Sequence, residues 1–503
     1  MKVLLDTNII IHREASTVVN EDIGVLFRWL DELKFDKCIH PVTVSEILKN
    51  KDSKAVHTFK AKMESYYLLK TVAPIGNEVQ IISNQLDKND NDKNDTKLLN
   101  EVYSSRVELL ITEDKKMHKK ALLLGIADKV FYIDAFIERA MAANPTLVDY
   151  KIQSVKKKLF GNININDDFF NSFKQDYIGF EKWYNGKADE TAYICKEDTN
   201  ITAFLYLKKE GLKEDYQNIS PMFVPKQRLK VGTFKVTLNG FKIGERFMKI
   251  IFDNALRFKV DEIYVTIFGK TLEQQRLIRL IQDYGFVYHG EKMSASGKEQ
   301  VYVRDFKPFF NQEDPKSSFP YINADNQAFL VPIYPEYHTE LLPDSILNTE
   351  SPEDYENNES YRNAISKVYI CRSLERDISK GDIIIFYRTG GYYKSVVTTI
   401  GIVENSVFDI KTEDDFIKLC KSRTVFTNQE LRQHWNFNRN NRPFIVNFLY
   451  AYSFPRRINL EKLIQMEVIK DSNSAPRGFY KISKNQFLSI VKETSSNENI
   501  IIN

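Results

Sequence analysis

Short apolar runs punctuate the first third of the chain and predict strands. Val3-Leu4-Leu5, Cys38-Ile39-His40-Pro41, Leu109-Leu110-Ile111 and Val130-Phe131-Tyr132-Ile133 are separated by amphipathic stretches of helical period. Strands alternating with helices in this way predict a parallel sheet. The segment 87–95 holds no apolar residue and reads as a loop, and Asn144-Pro145 closes the block. The patterning then changes. Residues 191–196, 201–208 and 229–237 predict consecutive strands, followed by a helix over 243–257 and a strand over 262–267. A helix over 273–284 and strands over 286–291 and 299–303 complete this block. Residues 309–325 read as a linker by composition. Beyond it, 382–388 and 395–404 are apolar strand runs, 350–359 is an acidic loop, and the tail after Thr494 is expected to fray. The fold class is α/β and α+β, multidomain. A parallel-sheet domain covers 1–145, a mixed-sheet domain 150–308, the linker 309–325 and a β-barrel domain 326–495.

Composition adds limits. A chain of 503 residues holds about three domains and buries cores without staples. With 43% hydrophobic and 28% charged residues, it is neither disordered throughout nor collagen-like. No run of about 18 apolar residues occurs, so no membrane partner is expected. The opening Met1-Lys2-Val3-Leu4-Leu5-Asp6 meets an acid too early for a signal peptide. Cys38, Cys195, Cys371 and Cys420 have neither metal-type spacing nor a disulfide framework, which suits the cytoplasm. The net charge of +3, from 71 basic and 68 acidic residues, says nothing of nucleic acid, so the distribution of charge must.

The first block carries four acids at strand ends. Asp6 follows the first strand, Glu46 lies in the helix after the second, Asp95 opens the helical pattern 96–102, and Asp114 follows 109–111. Open α/β sheets place their sites at these carboxyl ends. Each acid has a plainer explanation: Asp6 or Asp114 as a helix cap, and Glu46 as the far end of a capping box with Thr43. Four converging carboxylates would instead repel unless a divalent cation lay among them, and oxygen ligands suit Mg²⁺ or Mn²⁺. On Asp6-Thr7-Asn8, Val44-Ser45-Glu46-Ile47, Asn94-Asp95-Thr96 and Ile111-Thr112-Glu113-Asp114, the block resembles a PIN domain, a family of metal-dependent ribonucleases. The resemblance implies Asp6, Glu46, Asp95 and Asp114 as catalytic and metal-binding acids, with Asn8 and Thr112 as supporting hydrogen-bonders.

In the second block a strand leads through Asn239-Gly240-Phe241-Lys242-Ile243-Gly244-Glu245-Arg246 into a helix. A strand, a loop and a helix N-terminus form a ready anion site, although a structural turn explains the glycines equally well. The order of elements, with Ile281-Gln282-Asp283-Tyr284-Gly285-Phe286 at the helix end, resembles the GNAT acetyltransferase superfamily. That resemblance implies acetyl-CoA at Phe241, Lys242, Ile243, Gly244, Glu245 and Arg246. It also implies a protein or RNA acyl acceptor. The chain departs from the family pattern: Asn239 and Lys242 replace the loop's first residue and first glycine. Ile281 stands where a tyrosine often acts as general acid, and Tyr284 lies one helical turn away.

In the third block, residues 416–457 hold eight basic residues and one acid, Glu430, with aromatics between them. Basic groups neutralise phosphates and aromatic faces stack unpaired bases. Phe444, Phe448, Tyr450 and Tyr452 serve equally as core. Trp435 and Phe437, among polar residues, are expected at the surface, and Trp435, Arg439 and Arg442 are the candidate nucleic-acid contacts. The strands here resemble PUA-like folds of the ASCH and EVE type, which implies a pocket for RNA or a modified base. Two readings stay open. One is an RNA endonuclease fused to an acetyltransferase and an RNA-binding module, with a toxin-like or defence role. The other is a regulatory RNA-binding protein whose middle domain senses acyl-CoA without transferring it and whose first domain is gated or inactive as a nuclease.

Overall fold

The computed structural model describes residues 1–14, 21–49, 53–143, 155–197, 199–237, 242–345, 360–390, 395–421 and 423–502. The acidic stretch 350–359 and the Asn144-Pro145 stop lie outside them. Two compact units form, one from residues 1–148 with 271–273, the other from 149–270 with 274–503.

The first unit is built on an all-parallel sheet of β1 (Lys2–Leu5), β2 (Asp36–Ile39), β3 (Tyr67–Leu68), β4 (Leu109–Ile111) and β5 (Val130–Phe131). The strand order is β3-β2-β1-β4-β5. β1 is buried on both faces, which is why it reads as an unbroken apolar run. Val3 and Leu5 pack with Ile10, Leu26 and Ile111 on one face, and Leu4 packs with Leu98, Leu99 and Leu110 on the other. The chain turns from one side of the sheet to the other between β1 and β4, so the crevice beyond their carboxyl ends lies at a topological switch point. β2 stops at Ile39 because His40 caps the helix Pro41–Leu48 and Pro41 takes its first position.

The expected loop at 87–95 is mostly helix. Asp90–Tyr103 is helical from its first residue, with Asn89 accepting from the Asp92 N–H at 2.9 Å. Capping and first-turn acids start this helix where no apolar spacing announced it. Lys120, buried, holds the start in place: its ammonium pairs with Asp87 at 2.5 Å and donates to the Asp92 carbonyl at 2.9 Å and Thr96 Oγ1 at 2.8 Å.

In the second unit, eight strands form a mixed sheet: β6 (Lys156–Leu159), β7 (Thr191–Glu197), β8 (Asn200–Glu210), β9 (Ile219–Ser220), β10 (Arg228–Val236), β11 (Glu262–Ile267), β12 (Val287–Ser294) and β13 (Gly297–Asp305). Their order is β6-β7-β8-β10-β11-β13-β12-β9, and β10 with β11 is the parallel pair. The helix Ile243–Phe258 connects those two strands and buries Phe247, Met248, Ile251 and Phe252. The linker reading of 309–325 is corrected. Ser318, Phe319 and Tyr321 are buried, and Arg304 donates to the Phe319 carbonyl. β14 (Ile322–Asn323) pairs with β21 (Ile501–Ile502), so the tail expected to fray is a strand. Its isoleucines supply the apolar contact that the polar residues before them concealed.

The remaining strands are β15 (Ala328–Ile333), β16 (Ser366–Cys371), β17 (Ile383–Arg388), β18 (Val396–Val407), β19 (Phe444–Asn459) and β20 (Tyr480–Ile482). Their order is β16-β19-β18-β17-β15-β20, so among the described residues no ladder joins the edges and the expected barrel is an open, curled sheet. The curl brings Tyr369 of the β16 edge against Phe479 beside β20, with ring centroids 6.0 Å apart. Among the described residues no helix is long and apolar enough to cross a membrane. The four cysteines are buried and unbridged.

Candidate functional site

Asp6 leaves the carboxyl end of β1 buried and accepts from Thr112 Oγ1 at 2.7 Å. Asp114 caps the helix Lys115–Leu123, its Oδ1 accepting from the Lys116 and Met117 N–H groups at 2.7 and 2.9 Å. Glu46 is no capping-box residue, since the cap of its helix is His40. Thr7 Oγ1 donates to its Oε2 at 2.7 Å and Asn94 Nδ2 to its Oε1 at 2.8 Å. Asp95 follows Asn94 within the helix Asp90–Tyr103, inside it rather than at its start. Asn8 is exposed, and Thr7 beside it makes the contact to Glu46.

The electrostatics bind these acids into one group. Burial, then the charges of Asp114 and Glu46, push the Asp6 carboxyl up to about 6 against the hydrogen bond from Thr112. Burial, then Asp6 and Asp114, push Asp95 up to about 7, with Lys120 opposing. Among the described residues no three His, Cys, Asp or Glu side chains are placed to share one metal ion. The acids are gathered but not closed on a point. Thr7 and Asn94 were not foreseen as holders of Glu46; the available signal was a short polar residue next to an acid in each motif.

In the second unit, β10 and β11 pair only from Arg228↔Glu262 to Val231↔Val265. The ladder from β10 to β8 runs on to Val236↔Ala203, past a bulge between Val231 and Thr233. Beyond Val231 the β11 side of β10 therefore presents backbone groups without ladder partners. Gly232 sits in the bulge because a Cβ there would lie 2.6 Å from the Tyr206 ring. The helix Ile243–Phe258 starts nearby, and its N-cap residue, Lys242, makes no side-chain cap hydrogen bond. Lys242 precedes it at a left-handed φ of 58°, Ile243 is buried, and Gly244 lies so near Leu280 that a Cβ would approach to 2.9 Å.

Glu245 and Arg246, expected at the cofactor, are committed elsewhere. Glu245 accepts from the N–H groups of Ile365 and Ser366 at 2.8 and 3.2 Å and pairs with Lys242 at 3.3 Å and Arg423 at 3.8 Å. Burial works against its charge, yet Lys242 and Arg423 hold its carboxyl well below the ordinary range. Arg246 forks onto both oxygens of Asp344 at 2.6 Å. Both side chains join the helix to the third block, whose position a hundred residues away no local pattern reveals. Phe241 lies outside the described residues. Tyr284 is fully buried against Phe252 and Phe319, and burial with Glu245 and Glu404 nearby drives its hydroxyl far up. The turn that follows needs Gly285, at φ +82°, since a Cβ would strike the Ser317 carbonyl at 2.1 Å.

Trp435, expected at the surface, is core: it stacks near Phe416 beside Leu431 and Cys420. Arg442 lies over the Trp435 ring, 4.6 Å from its centroid, and donates to its carbonyl. Arg439 and Phe437 are exposed, with Arg372 over the Phe437 ring at 4.1 Å. Phe444, Phe448 and Tyr450 are buried. A cavity of about 280 Å³ opens at the end of β17, lined by Tyr387, Thr389, Ser395, Asn473 and Arg477 among others.

No protein-family model matches the sequence, and no curated protein does. Solved structures match parts of it. A chain of the NatC complex bound to Gag peptide and CoA is 16% identical, covering 30% of this chain and 98% of its own, with a TM-score of 0.21. Ard1 from Thermoplasma volcanium is 10% identical, covering 31% of this chain and 97% of its own, with a TM-score of 0.24. An N-acetyltransferase from Staphylococcus aureus Mu50 is 14% identical, covering 30% and 97%, with a TM-score of 0.22. The chain itself carries gathered acids at its parallel sheet and a parting strand pair in its mixed sheet.

Proposed function

We propose that the first unit is a divalent-metal-dependent RNA endonuclease. The observation that carries this is the mutual crowding of Asp6, Glu46, Asp95 and Asp114, two of which are held at about 6 and about 7 by burial and by one another's charge. The donor set is all carboxylate, which suits Mg²⁺ or Mn²⁺, and a cation is what relieves such crowding. An ion held by these four would supply Lewis acidity for in-line attack of water on a phosphodiester. The chain's own residues hold the acids in place: Thr112 fixes the Asp6 carboxylate, Thr7 and Asn94 fix both oxygens of Glu46, and Lys120 anchors the helix that carries Asp95. The test is cleavage of single-stranded RNA with Mn²⁺. Asp6→Asn and Asp114→Asn should each lower the rate by orders of magnitude in a folded protein. Rates equal to the parent's would refute the assignment.

A second reading concerns the middle block. Its parted β10 and β11, beside a helix N-terminus, suit an extended ligand with a phosphate end, such as acetyl-CoA. The buried Tyr284 leaves a departing thiolate no proton donor at the expected position, which favours sensing over transfer. Calorimetry with CoA tests binding, and absence of heat at millimolar CoA would remove this reading. In the third block, exposed Arg439 and Phe437 support a contact with RNA, whereas Trp435 does not.

A further inference from the structure

The ladder between β18 and β19 breaks between the pairs Val397↔Ile458 and Thr399↔Ser453, so Thr398 alone stands against residues 454–457. His338, in the helix Pro335–Leu341, reaches this break: its Nε2 lies 2.9 Å from Thr398 Oγ1. The ring is fully buried, and among the described residues its Nδ1 has no hydrogen-bond partner. Arg457 belongs to the β19 side of the same break and is half-buried. Its Nη1 is buried without a hydrogen-bond partner, and among the described residues its guanidinium makes no ion pair, whereas Arg456 beside it reaches Glu493 at 3.6 Å. Burial, then the charges of Arg388 and Arg457, push His338 down to about 3, so both cations act on a ring that stays neutral. The hydroxyls around it are paired with one another. Thr399 Oγ1 donates to Thr398 Oγ1 at 3.2 Å, and Ser345 Oγ lies 2.6 Å from Thr399 Oγ1 and 2.7 Å from Ser453 Oγ.

Buried polar groups in folded proteins have partners, and a guanidinium taken from water needs a counter-charge. A cation at this break would be repelled by Arg388 and Arg457, and an apolar group would leave both nitrogens unpaired. A guanidinium and a ring N–H with no acid between them match an oxyanion, which accepts from several donors at once. We infer that His338 and Arg457 form a binding site for one terminal phosphate group at the β18–β19 break. Arg457 supplies the charge, and His338 donates from Nδ1 while its Nε2 accepts from Thr398. The Phe386 carbonyl, 3.5 Å from Thr398 Oγ1, competes only weakly for that proton. Because His338 is fully buried, the site suits a phosphate at the end of a molecule rather than an internal phosphodiester, which carries chain on two sides. Inorganic phosphate and a small phosphomonoester share this chemistry.

The experiment titrates the full chain in EDTA with inorganic phosphate, at ionic strength held constant with KCl, and follows both heat and melting temperature. The parent should bind phosphate and melt higher, because a ligand of the folded state stabilises it. Arg457→Gln should weaken binding about 10- to 150-fold, the range of one charge-assisted hydrogen bond. His338→Gln keeps a nitrogen for Thr398 and loses Nδ1, and should weaken binding about 2- to 12-fold, the range of a neutral one. Glycerol phosphate separates the two sources: tighter binding than phosphate assigns the site to a phosphomonoester, and weaker binding assigns it to the free ion. Acetate should give no heat, and acetate binding as tightly as phosphate would overturn the phosphate assignment. The site is also overturned if neither phosphate nor glycerol phosphate binds at tens of millimolar, or if both variants, folded, bind phosphate as the parent does. His338→Gln decides alone if Arg457→Gln fails to fold.

Discussion

Asp6→Asn separates a buried structural carboxylate from a metal-site one. In the parent the Asp6 carboxyl is pushed from 3.8 to about 6. The sign follows from linkage. Between pH 3.8 and 6 the folded chain still holds a proton that the unfolded chain has released, so stability falls as pH rises through that window. Above pH 6 the full penalty is present, and below 3.8 it is gone. About two pH units at 1.36 kcal/mol each give roughly 3 kcal/mol. Asparagine removes the charge and can set its amide oxygen where Asp6 Oδ2 accepts from Thr112, so that hydrogen bond survives the change. For a unit of this size, roughly 3 kcal/mol corresponds to about 6–12 °C in melting temperature. Circular dichroism melts in EDTA at pH 8 should therefore place Asp6→Asn above the parent by about that much, with the gap closing toward pH 4. Millimolar Mn²⁺ at pH 8 should raise the parent and leave Asp6→Asn unmoved, because only a ligand of the folded state stabilises it. A variant that melts below the parent at pH 8, with no pH dependence of the difference and no Mn²⁺ response in the parent, would refute the reasoning.

Three further outcomes are expected. Lys120→Met leaves Asp87 buried without its cation and should cost about 3–5 kcal/mol, read as a lower first melting transition together with weaker Mn²⁺ binding. Asp344→Ala strips Arg246 of a bidentate partner and should cost about 2 kcal/mol, with Arg246→Ala/Asp344→Ala recovering part of it in a double-mutant cycle. In filter binding at several salt concentrations, Arg439→Ala should reduce the salt slope of RNA affinity by about one, whereas Trp435→Ala should lower the melting temperature instead.

The strands were legible where burial is two-sided or strictly patterned. The run 109–111 is β4 itself, and 262–267 is β11 itself, because apolar side chains there have no alternative to the core. The helix Asp90–Tyr103 was not legible as far as its start, since polar caps and a buried lysine 24 or more residues away stabilise its first turns. Asp6 and Asp114 could be found because they follow β1 and β4, and Glu46 because it lies in the helix after β2, whereas Asp95 lies in the second helix after β3; Thr7 and Asn94, which hold Glu46, are marked only as short polar residues next to an acid. Trp435 was misplaced by its polar neighbours. Leu431 four residues earlier marks the buried face of the helix Asn428–Asn436, and that spacing outweighs composition. Glu245 and Arg246 occupied the right place in a phosphate-loop pattern, yet their partners lie at 344, 365, 366 and 423, beyond any local reading.

Those four partners change what can be separated. A cut through 309–325 would not release two independent domains. Forcing the two pieces apart would strand the Glu245 carboxylate and the Arg246 guanidinium without the partners that cover them, and would expose Phe319 and Tyr321. The middle and third blocks should therefore melt as one cooperative body, and a proteolytic nick in that segment should leave the two pieces associated until both unfold.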